Sequence, residues 1–420
     1  MEYSAVLGLA LITAAGATTA GATEIDLFSN SRIGFGGGQQ REVQTTITFP
    51  EFDSTDKLVL NWGVVGDEDP WDRAGSIHVQ VATGEWVQLG KFITGFNGTT
   101  THSQDISRLA PLLSGQTLAV EAHIDTWVRD GWRLDASIDV TPERGYQAPT
   151  WAEPVIGRTT SYGRGISGDV TRGYNFTVPW DMEQVTLTYF ASGHHNSQTN
   201  NSDEFNRRRH TLLVNGEQVW SGIPWRTDGP NFRSVNPTSG RWDGNGDGDT
   251  NDPYPVDVWS SDYPRSGWVP GDDVAPYEFD ITEFVDGPGP QSVVLTIEDI
   301  DINSFWRVSA FVSGTPTFEP AVVGDLNGDS VVDTNDWRMF RASMFADLSG
   351  LTGQDLYEAG DLNGDGENNE VDLRIFREAF ESSQGVALFS SAAASAPEPS
   401  SASLVLAATL GGIGRGRRRA

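Results

Sequence analysis

The sequence predicts a mainly β protein with two adjacent antiparallel sandwiches, followed by a small α-helical pair. Up to about residue 314, short runs in which apolar and polar residues alternate follow one another, separated by clusters of Gly, Asp, Asn and Ser. Alternation of this kind is typical of strands with one face on a core. Past residue 323, apolar residues recur at helical spacing after each of two oxygen-rich loops. These observations give the fold class.

Composition sets the limits on domain number and partners. A chain of 420 residues predicts two or three domains. Its 28 basic and 58 acidic residues leave a net charge of −30, which argues against binding nucleic acid or anionic lipid. The absence of Cys excludes disulfides, thiol catalysis and cysteine–zinc sites. The 14 Trp and 47 Gly favour aromatic binding surfaces on a turn-rich β fold.

The N-terminal residues 1–22 read as a signal peptide. Residues 5–15 are apolar, and Ala20-Gly21-Ala22 is typical of a cleavage site. Glu2 and the lack of a basic residue before the apolar run leave an N-terminal strand or a misassigned start as alternatives. We expect an exported protein.

Residues 23–148 and 149–315 are predicted to be the two β domains. In the first, alternating sets begin at Ile77, Leu118 and Leu134. In the second, strands are expected over 184–190, 292–297 and 305–312, and Asn215-Gly216 predicts a tight hairpin.

Ordered motifs across both β domains resemble the peptide-N-glycosidase F family. They are Asp67-Glu68-Asp69-Pro70-Trp71-Asp72-Arg73-Ala74, Thr83-Gly84-Glu85-Trp86, Gly90-Lys91-Phe92-Ile93-Thr94, Leu112-Leu113-Ser114-Gly115, Asp125-Thr126-Trp127, Ser192-Gly193-His194, Asp203-Glu204-Phe205, Arg209-His210-Thr211 and Arg265-Ser266-Gly267-Trp268. Collinear motifs over roughly 250 residues are stronger evidence than scattered ones. The resemblance implies two eight-stranded antiparallel jelly rolls with an active site in the cleft between them.

The same resemblance implies an amidase that hydrolyses the glycan–asparagine bond of N-glycosylated peptides or proteins, with no cofactor for catalysis. It gives three catalytic carboxylates, Asp72 as the principal acid/base with Glu204 and Asp125 as secondary groups. Five further residues are expected to bind substrate, with the arginines as charge stabilisers and the first two tryptophans as sugar contacts: Arg73, Arg265, Trp71, Trp127 and Trp268.

The residues themselves suit this chemistry. Cleaving such an amide requires a base for water, an acid for the leaving nitrogen and a donor for the developing oxyanion. Asp125 and Trp127 lie two apart at the end of an apolar strand, so both are expected to project from its non-core side. Glu204 is expected to be held ionised by the arginines at 207–209.

Departures from the family keep other functions open. Asp125 is one methylene shorter than the family's Glu, and the family's disulfides are absent. The main alternative is a non-catalytic glycan- or surface-binding protein on the same scaffold. More distant alternatives are a structural, calcium-stapled surface protein and a copper type II monooxygenase-like protein, the latter suggested only by His194-His195.

A separate oxygen-rich loop runs from Asp243 to Asp252. Its first positions have calcium-ligand spacing, but Tyr254 stands where the twelfth-position carboxylate would be. A structural calcium loop and a plain flexible turn are both consistent with it.

Residues 323–382 contain two EF-hand-like loops 36 residues apart, and each is followed by a predicted helix. Oxygen ligands at this spacing suit Ca²⁺, with Val331 and Glu367 using their carbonyls. The expected ligands are Asp325, Asn327, Asp329, Val331, Asp333 and Asp336, then Asp361, Asn363, Asp365, Glu367, Asn369 and Asp372. The duplicated pattern resembles a type I dockerin, although Ser330 replaces a Gly and Asn368 an apolar residue. A cohesin partner follows from the resemblance; a calcium-stapled spacer is the alternative.

The remaining segments are predicted to be connectors and an address. Residues 316–322 and 383–396 are expected to be linkers, the second flexible. Residues 397–420 contain Pro397-Glu398-Pro399, an apolar run over 404–413 and four arginines from Arg415 onward. This order resembles a PEP-CTERM sorting signal processed by an exosortase-type enzyme. It implies a secreted or cell-surface protein after tail processing.

Overall fold

The computed structural model describes residues 22–179, 181–195, 202–242, 258–318, 320–351 and 353–394. These residues form two compact units. The first holds both β sandwiches. The second holds the helices of the C-terminal region together with the short segments Thr177–Glu183 and Gly287–Pro290.

The first sandwich consists of two four-stranded antiparallel sheets. Their strand orders are β1-β10-β5-β8 and β4-β9-β6-β7. The strands, with the short pair β2 and β3, are β1 Thr23–Ile33, β2 Phe35–Gly36, β3 Gln39–Gln40, β4 Glu42–Thr48, β5 Asp56–Gly66, β6 Ala74–Gln80, β7 Trp86–Ile93, β8 Thr99–Asp105, β9 Thr117–Ile124 and β10 Trp132–Pro142. The one-turn helix α1, Ala110–Leu113, precedes β9.

The second sandwich has the same construction, with sheets β11-β20-β13-β18 and β12-β19-β14-β15. The strands, with the short pair β16 and β17, are β11 Trp151–Tyr162, β12 Gly168–Val178, β13 Met182–His195, β14 His210–Val214, β15 Glu217–Gly222, β16 Arg241–Trp242, β17 Val258–Trp259, β18 Tyr277–Asp280, β19 Gly289–Ile300 and β20 Ser304–Pro316. The predicted fold class, mainly β with two eight-stranded sandwiches, is confirmed.

The predicted hairpin at Asn215-Gly216 is confirmed in detail. Val214 pairs with Glu217, so two residues close the turn between β14 and β15. Both have positive φ, 49° for Asn215 and 85° for Gly216. This is the type I′ geometry whose twist matches that of paired strands, and Asn-Gly is the dipeptide that adopts it most easily.

Alternation describes the core-facing residues of β6 and β7, but their opposite face is also buried. His78, Gln88 and Lys91 are polar and almost fully inaccessible. They lie against the second sandwich, where Ser309 donates to Gln88 Oε1 at 2.5 Å and Lys91 Nζ donates to the carbonyl of Arg307 at 2.7 Å. The two sandwiches therefore pack through the outer face of this sheet, which holds the cleft between them in a fixed geometry.

The second unit contains four helices: α2 Thr334–Ala342, α3 Gly353–Glu358, α4 Glu370–Gln384 and α5 Val386–Ala394. Helices α2 and α4 begin with equivalent capping boxes. Asp333 and Asn369 accept from the helix backbone, and the carboxylates three residues later bond back to the cap. The duplicated sequence thus gives a duplicated loop–helix element, and the predicted helical module is confirmed.

One expectation for this unit is wrong. Residues 383–396 were expected to be a flexible linker, but α5 occupies most of that segment. Phe389 and Ala392 are buried in the core of the helical unit, and Trp337 Nε1 donates to the carbonyl of Ala392 at 3.2 Å. The Ser- and Ala-rich composition led to the prediction of a linker. Because Ala also has the highest helix propensity, the same composition is compatible with a helix.

The predicted signal peptide, the Asp243–Asp252 loop and the PEP-CTERM-like tail lie outside the described residues, apart from Ala22. Within the described part of the chain, no helix combines the length and hydropathy that crossing a bilayer requires.

Candidate active site

A cavity of about 370 Å³ lies between the two sandwiches. Its walls come from the β5–β6 loop, the residues after β9, the β13–β14 loop and strand β20. The lining residues are Asp72, Arg73, Ala74, Ile93, Asp125, Trp127, Arg164, His194, His195, Glu204, Trp268, Phe305 and Arg307. All three predicted catalytic carboxylates are among them, although they are as far apart as 132 positions in sequence (204 − 72).

Two of the carboxylates share one guanidinium. Arg265, only 1% exposed, places Nε 3.2 Å from Glu204 Oε1 and Nη2 3.7 Å from Asp72 Oδ2. Asp72 Oδ2 is buried and has no hydrogen-bond partner among the described residues. A buried carboxylate oxygen of this kind costs free energy unless a ligand or a proton satisfies it.

Burial raises the pKa of both acids. For Glu204, burial and the neighbouring Asp72 outweigh Arg265 and raise the pKa to about 7. For Asp72, burial raises the pKa against the opposing charges of Arg265 and Arg73. A carboxyl group whose pKa lies near neutrality, as that of Glu204 does, exchanges protons readily at neutral pH, which is what general acid–base chemistry requires.

Asp125 is held differently. Arg307 Nη2 lies 2.5 Å from its Oδ2, and Arg41 Nη1 lies 3.5 Å from its Oδ1. Burial alone would raise the pKa of Asp125, but Arg307, His123, and Arg41 outweigh it, and the net pKa is lowered. This carboxylate is therefore ionised across the neutral range and fixed in position.

The expectation that Asp125 and Trp127 share a strand face needs correction. Strand β9 ends at Ile124, so neither residue lies in a strand. They line the same cavity because the intervening Thr126 is buried and its hydroxyl donates to Asp69 Oδ2 at 2.6 Å. Asp125 and Trp127 do face the same cavity, as predicted, but the hydrogen bond between Thr126 and Asp69 orients them rather than a β strand.

Asp69 organises the loop that carries Asp72, and the sequence analysis assigned it no role. Its side chain is fully buried and accepts from Arg73 Nε at 2.7 Å and Arg73 Nη2 at 3.0 Å. It also accepts from the backbone N–H of Trp71 at 3.2 Å. Arg73, predicted to stabilise charge in substrate, is thus bound first of all to Asp69. In the sequence, only the Asp69-Pro70 pair and the four-residue spacing between Asp69 and Arg73 pointed to this role of Asp69.

Two of the predicted aromatic contacts are exposed. Trp127 lines the cavity, whereas Trp71, which precedes Asp72 in the chain, is not among the lining residues. Trp127 is 61% exposed and Trp71 is 58% exposed. The guanidinium carbon of Arg41 lies 3.5 Å from the ring centroid of Trp127, while Phe35 packs edge-on at 5.4 Å. Exposed indoles supported from behind provide flat apolar surfaces of the kind on which sugar rings stack.

Trp268 is not such a platform. It is 3% exposed, and its indole N–H donates to the carbonyl of Gly193 at 2.7 Å. Its ring stacks on His194 at 5.6 Å and lies 4.9 Å from the Arg265 guanidinium. Trp268 lines the cavity and supports Arg265, and its expected part in substrate binding stays a prediction.

The expectation that Arg207–Arg209 hold Glu204 ionised is wrong. Arg208 pairs instead with Asp203 and Asp299, at 2.6 Å in each case. Arg207 lies over the ring of Trp225. The guanidinium beside Glu204 comes from Arg265, which is 61 residues away in sequence, and the pKa of Glu204 rises rather than falls.

Sequence reasoning also missed Arg41 and Arg307, the two partners of Asp125. Both lie far from Asp125 in sequence. Arg307 is an isolated Arg in β20 and Arg41 lies between β3 and β4, and neither position gives a signal. His194, the basis of the copper alternative, is buried and bonds to Ser192 Oγ at 2.7 Å. Among the described residues, the side-chain groups able to hold a metal include neither His194 nor His195.

Carboxylates of the second EF-hand-like loop converge, as oxygen ligation of Ca²⁺ requires. In the second loop, ligand oxygens of Asp361, Asp365 and Asp372 lie within 4.8 Å of one another. Burial and the neighbouring carboxylates raise the pKa of Asp361 to about 7, although backbone N–H groups of Gly364 and Gly366 oppose this. Converging carboxylates with no cation among them are costly, so the donor set fits a hard divalent cation.

The two departures from the dockerin pattern have different structural consequences. Ser330 has φ of 68°, where the equivalent Gly366 has 86°, so a side chain occupies a backbone conformation that favours glycine. Asn368 is buried and donates to the carbonyls of Phe340 and Ala359 at 2.9 and 2.8 Å. It crosslinks the helical unit where an apolar residue would only pack.

Comparison with known protein families gives a match for the second sandwich and a match for the helical unit. Residues 162–313 match the family "Peptide-N-glycosidase F, C terminal", and residues 323–380 match the type I dockerin domain. The chain is 26% identical over 273 residues to peptide-N(4)-(N-acetyl-beta-D-glucosaminyl)asparagine amidase F of Elizabethkingia miricola. That alignment covers 59% of this chain and 70% of the relative.

Solved structures show the same two-sandwich fold. PNGF-II superposes with a TM-score of 0.59 at 18% identity, covering 71% of this chain and 66% of that one. PNGase F from Flavobacterium meningosepticum, a glycosylasparaginase, superposes with a TM-score of 0.54 at 21% identity, covering 70% of this chain and 96% of that one. At these identities the likeness shows the fold alone.

Proposed function

We propose that this chain is a peptide-N-glycosidase-like amidase that hydrolyses the bond between an N-linked glycan and its asparagine side chain. The observation that carries the proposal is the half-buried pair Asp72 and Glu204, which share Arg265 beside an unsatisfied Asp72 oxygen in the cavity. The amidase relative and the collinear motifs support the same reaction.

Asp72 acts as the proton shuttle in this proposal. A water molecule attacks the side-chain carbonyl carbon of the glycosylated asparagine and gives its proton to Asp72. Asp72 returns that proton to the leaving nitrogen as the carbon–nitrogen bond breaks, so the products are an aspartate side chain and a glycosylamine. A carboxyl group with a raised pKa can perform both transfers near neutrality.

Glu204 and Arg265 support the attacking water and the developing charge. Arg265 Nε donates to Glu204, an interaction that favours the ionised carboxylate, so the ionised form is the one we assign to the reaction. Asp125 remains ionised and fixed by Arg307, which suits a role in orienting the sugar rather than in proton transfer. The exposed indoles of Trp71 and Trp127 supply the stacking surfaces.

The test is product analysis after incubation of the purified protein, with Ca²⁺ present, and a panel of denatured N-glycoproteins. The proposal expects the formerly glycosylated asparagine to have the mass of aspartate, and it expects Asp72→Asn to abolish the conversion. Absence of release from every glycoprotein, by a protein with native circular dichroism, would contradict it. Glycopeptide binding without release would favour the alternative, a non-catalytic glycan-binding protein.

For the helical unit, we propose that both loops bind Ca²⁺ and that the unit docks to a cohesin of an extracellular assembly. The converging oxygens of Asp361, Asp365 and Asp372 support the first part, and the dockerin match supports the second. Chelation of Ca²⁺ should lower the melting temperature of the helical unit, which calorimetry of the whole chain can resolve. Identical calorimetric traces with and without chelator would contradict calcium binding.

A further inference from the structure

A second cluster of ionisable side chains bridges the two sandwiches outside the cavity. It consists of His102 on β8 and of Asp272 and Asp273, which lie between β17 and β18. One potential ligand atom from each of the three lies within 4.8 Å of the other two. None of the three lines the cavity, and the proposed amidase reaction uses none of them.

The imidazole is held in place by apolar neighbours. His102 stacks on Trp62 with ring centroids 5.0 Å apart and on Phe92 at 6.0 Å. Its Nε2 lies 2.9 Å from the hydroxyl of Thr100, which fixes the rotation of the ring. An imidazole held in one orientation is a common ligand for metal ions.

The two carboxylates are fixed by their backbone. The carbonyl of Asp272 accepts from the N–H of Ile93 at 2.9 Å, and Asp273 forms an isolated antiparallel bridge with Phe92. The loop of the second sandwich is thus attached to strand β7 of the first. A site built on fixed backbone needs little reorganisation to bind an ion.

The charges of the cluster do not balance. Arg226 Nη2 lies 2.7 Å from Asp272 and 2.5 Å from Asp228, so one guanidinium serves two carboxylates before Asp273 is counted. Counted as one guanidinium against the carboxylates of Asp228, Asp272 and Asp273, the group carries a formal charge of −2 (1 − 3). A single divalent cation would neutralise the group.

We propose that His102, Asp272 and Asp273 bind a divalent transition-metal ion such as Zn²⁺, which ties the two sandwiches together. One imidazole and two carboxylates are a ligand set that Zn²⁺ accepts, and the fourth position is left to water. Hard cations such as Ca²⁺ prefer oxygen ligands alone, so the imidazole distinguishes this site from the EF-hand-like loops. In a chain without Cys, such a link would take the place of a covalent crosslink between the sandwiches.

The test is calorimetric titration of the full-length protein with Zn²⁺ while Ca²⁺ is in excess. The proposal expects one Zn²⁺ site whose affinity falls about tenfold or more in His102→Gln and in Asp273→Asn. Asp26→Asn, which removes an exposed carboxylate on β1, is the matched control and should bind as the wild type does.

Zinc should also raise the melting temperature of the wild type, but not that of Asp273→Asn. Because Asp273→Asn preserves shape and relieves repulsion, we expect it to fold, so a loss of binding there reports on ligation. Two results would overturn the proposal: no Zn²⁺ binding by the wild type, or binding of equal affinity in the wild type and both variants.

Discussion

The two acidic sides of the cavity have opposite ratios of arginine to carboxylate. On one side, Asp72 and Glu204 share the single guanidinium of Arg265. On the other, the single carboxylate of Asp125 lies between Arg307 and Arg41. The pKa values follow the ratios, because those of Asp72 and Glu204 are raised and that of Asp125 is lowered.

This difference divides the three carboxylates between two tasks, proton transfer and orientation of the substrate. Burial penalises the charged form of every acid in the cavity, and the guanidinium groups within ion-pairing distance offset that penalty more strongly for Asp125 than for Asp72 and Glu204. The acid pair with too little positive charge can hold and release protons. The acid with two cations is a fixed negative charge, suited to orienting a substrate hydroxyl. The following predictions test whether the two sides differ in this way.

Removing the shared guanidinium should have the largest effect. Arg265→Gln leaves two buried carboxylates without their cation, and breaking a buried pair costs about 3–5 kcal/mol. The pKa of Glu204 is raised from the ordinary 4.5 to about 7, so its unfavourable contribution is absent at acid pH, grows as the pH rises above 4.5 and is complete above about 7. The variant's deficit in urea unfolding should grow in the same direction. A deficit that shrank as the pH rose would contradict the shared-guanidinium account.

Glu204→Gln should remove a titration from the rate profile. If ionised Glu204 is the working form, kcat/KM of the wild type rises with pH through about 7. The variant should lack that rise and be slower by about a hundredfold at alkaline pH. Rates of glycopeptide hydrolysis between acid and alkaline pH check this. The same inflection in both proteins would assign the titration to another group.

Asp69→Asn should loosen the loop under Asp72 without removing a side chain that lines the cavity. The variant loses the negative charge that accepts two hydrogen bonds from the Arg73 guanidinium. Hydrogen bonds to charged groups contribute about 1.5–3 kcal/mol. We expect a stability loss of about 2 kcal/mol by urea denaturation. Thr94→Ser, which keeps the hydroxyl that accepts from Arg73 N–H, is a suitable control because it should change stability much less.

Arg307→Gln should have the smallest effect, on the other side of the cavity. It removes the strongest cation beside Asp125, so the pKa of that carboxyl should rise. Because Asp125 is assigned to orientation, KM should rise by about tenfold while kcat changes less. Steady-state kinetics on a glycopeptide measure both. A large fall in kcat at constant KM would place Asp125 in the chemistry instead.

The sequence was sufficient to predict the sandwiches, the hairpin and the paired loops, because alternation, Asn-Gly and repeated ligand spacing are local signals. It also placed Asp72, Glu204 and Asp125 together, through motifs shared with a known family. It could not predict Arg265 rather than Arg208 as the partner of Glu204, nor Arg307 and Arg41 as partners of Asp125. Those pairings join residues distant in sequence, and only tertiary packing brings them into contact.

A parallel time course of glycan release by Asp72→Asn and Asp125→Asn tests the central claim most directly. Both variants replace a cavity carboxylate with its isosteric amide, so they differ only in which side of the cavity loses its charge. We predict that Asp72→Asn yields no aspartate-mass product, whereas Asp125→Asn still yields it at raised substrate concentration. Equal loss in both folded variants, or activity retained only by Asp72→Asn, would contradict the division between the two sides.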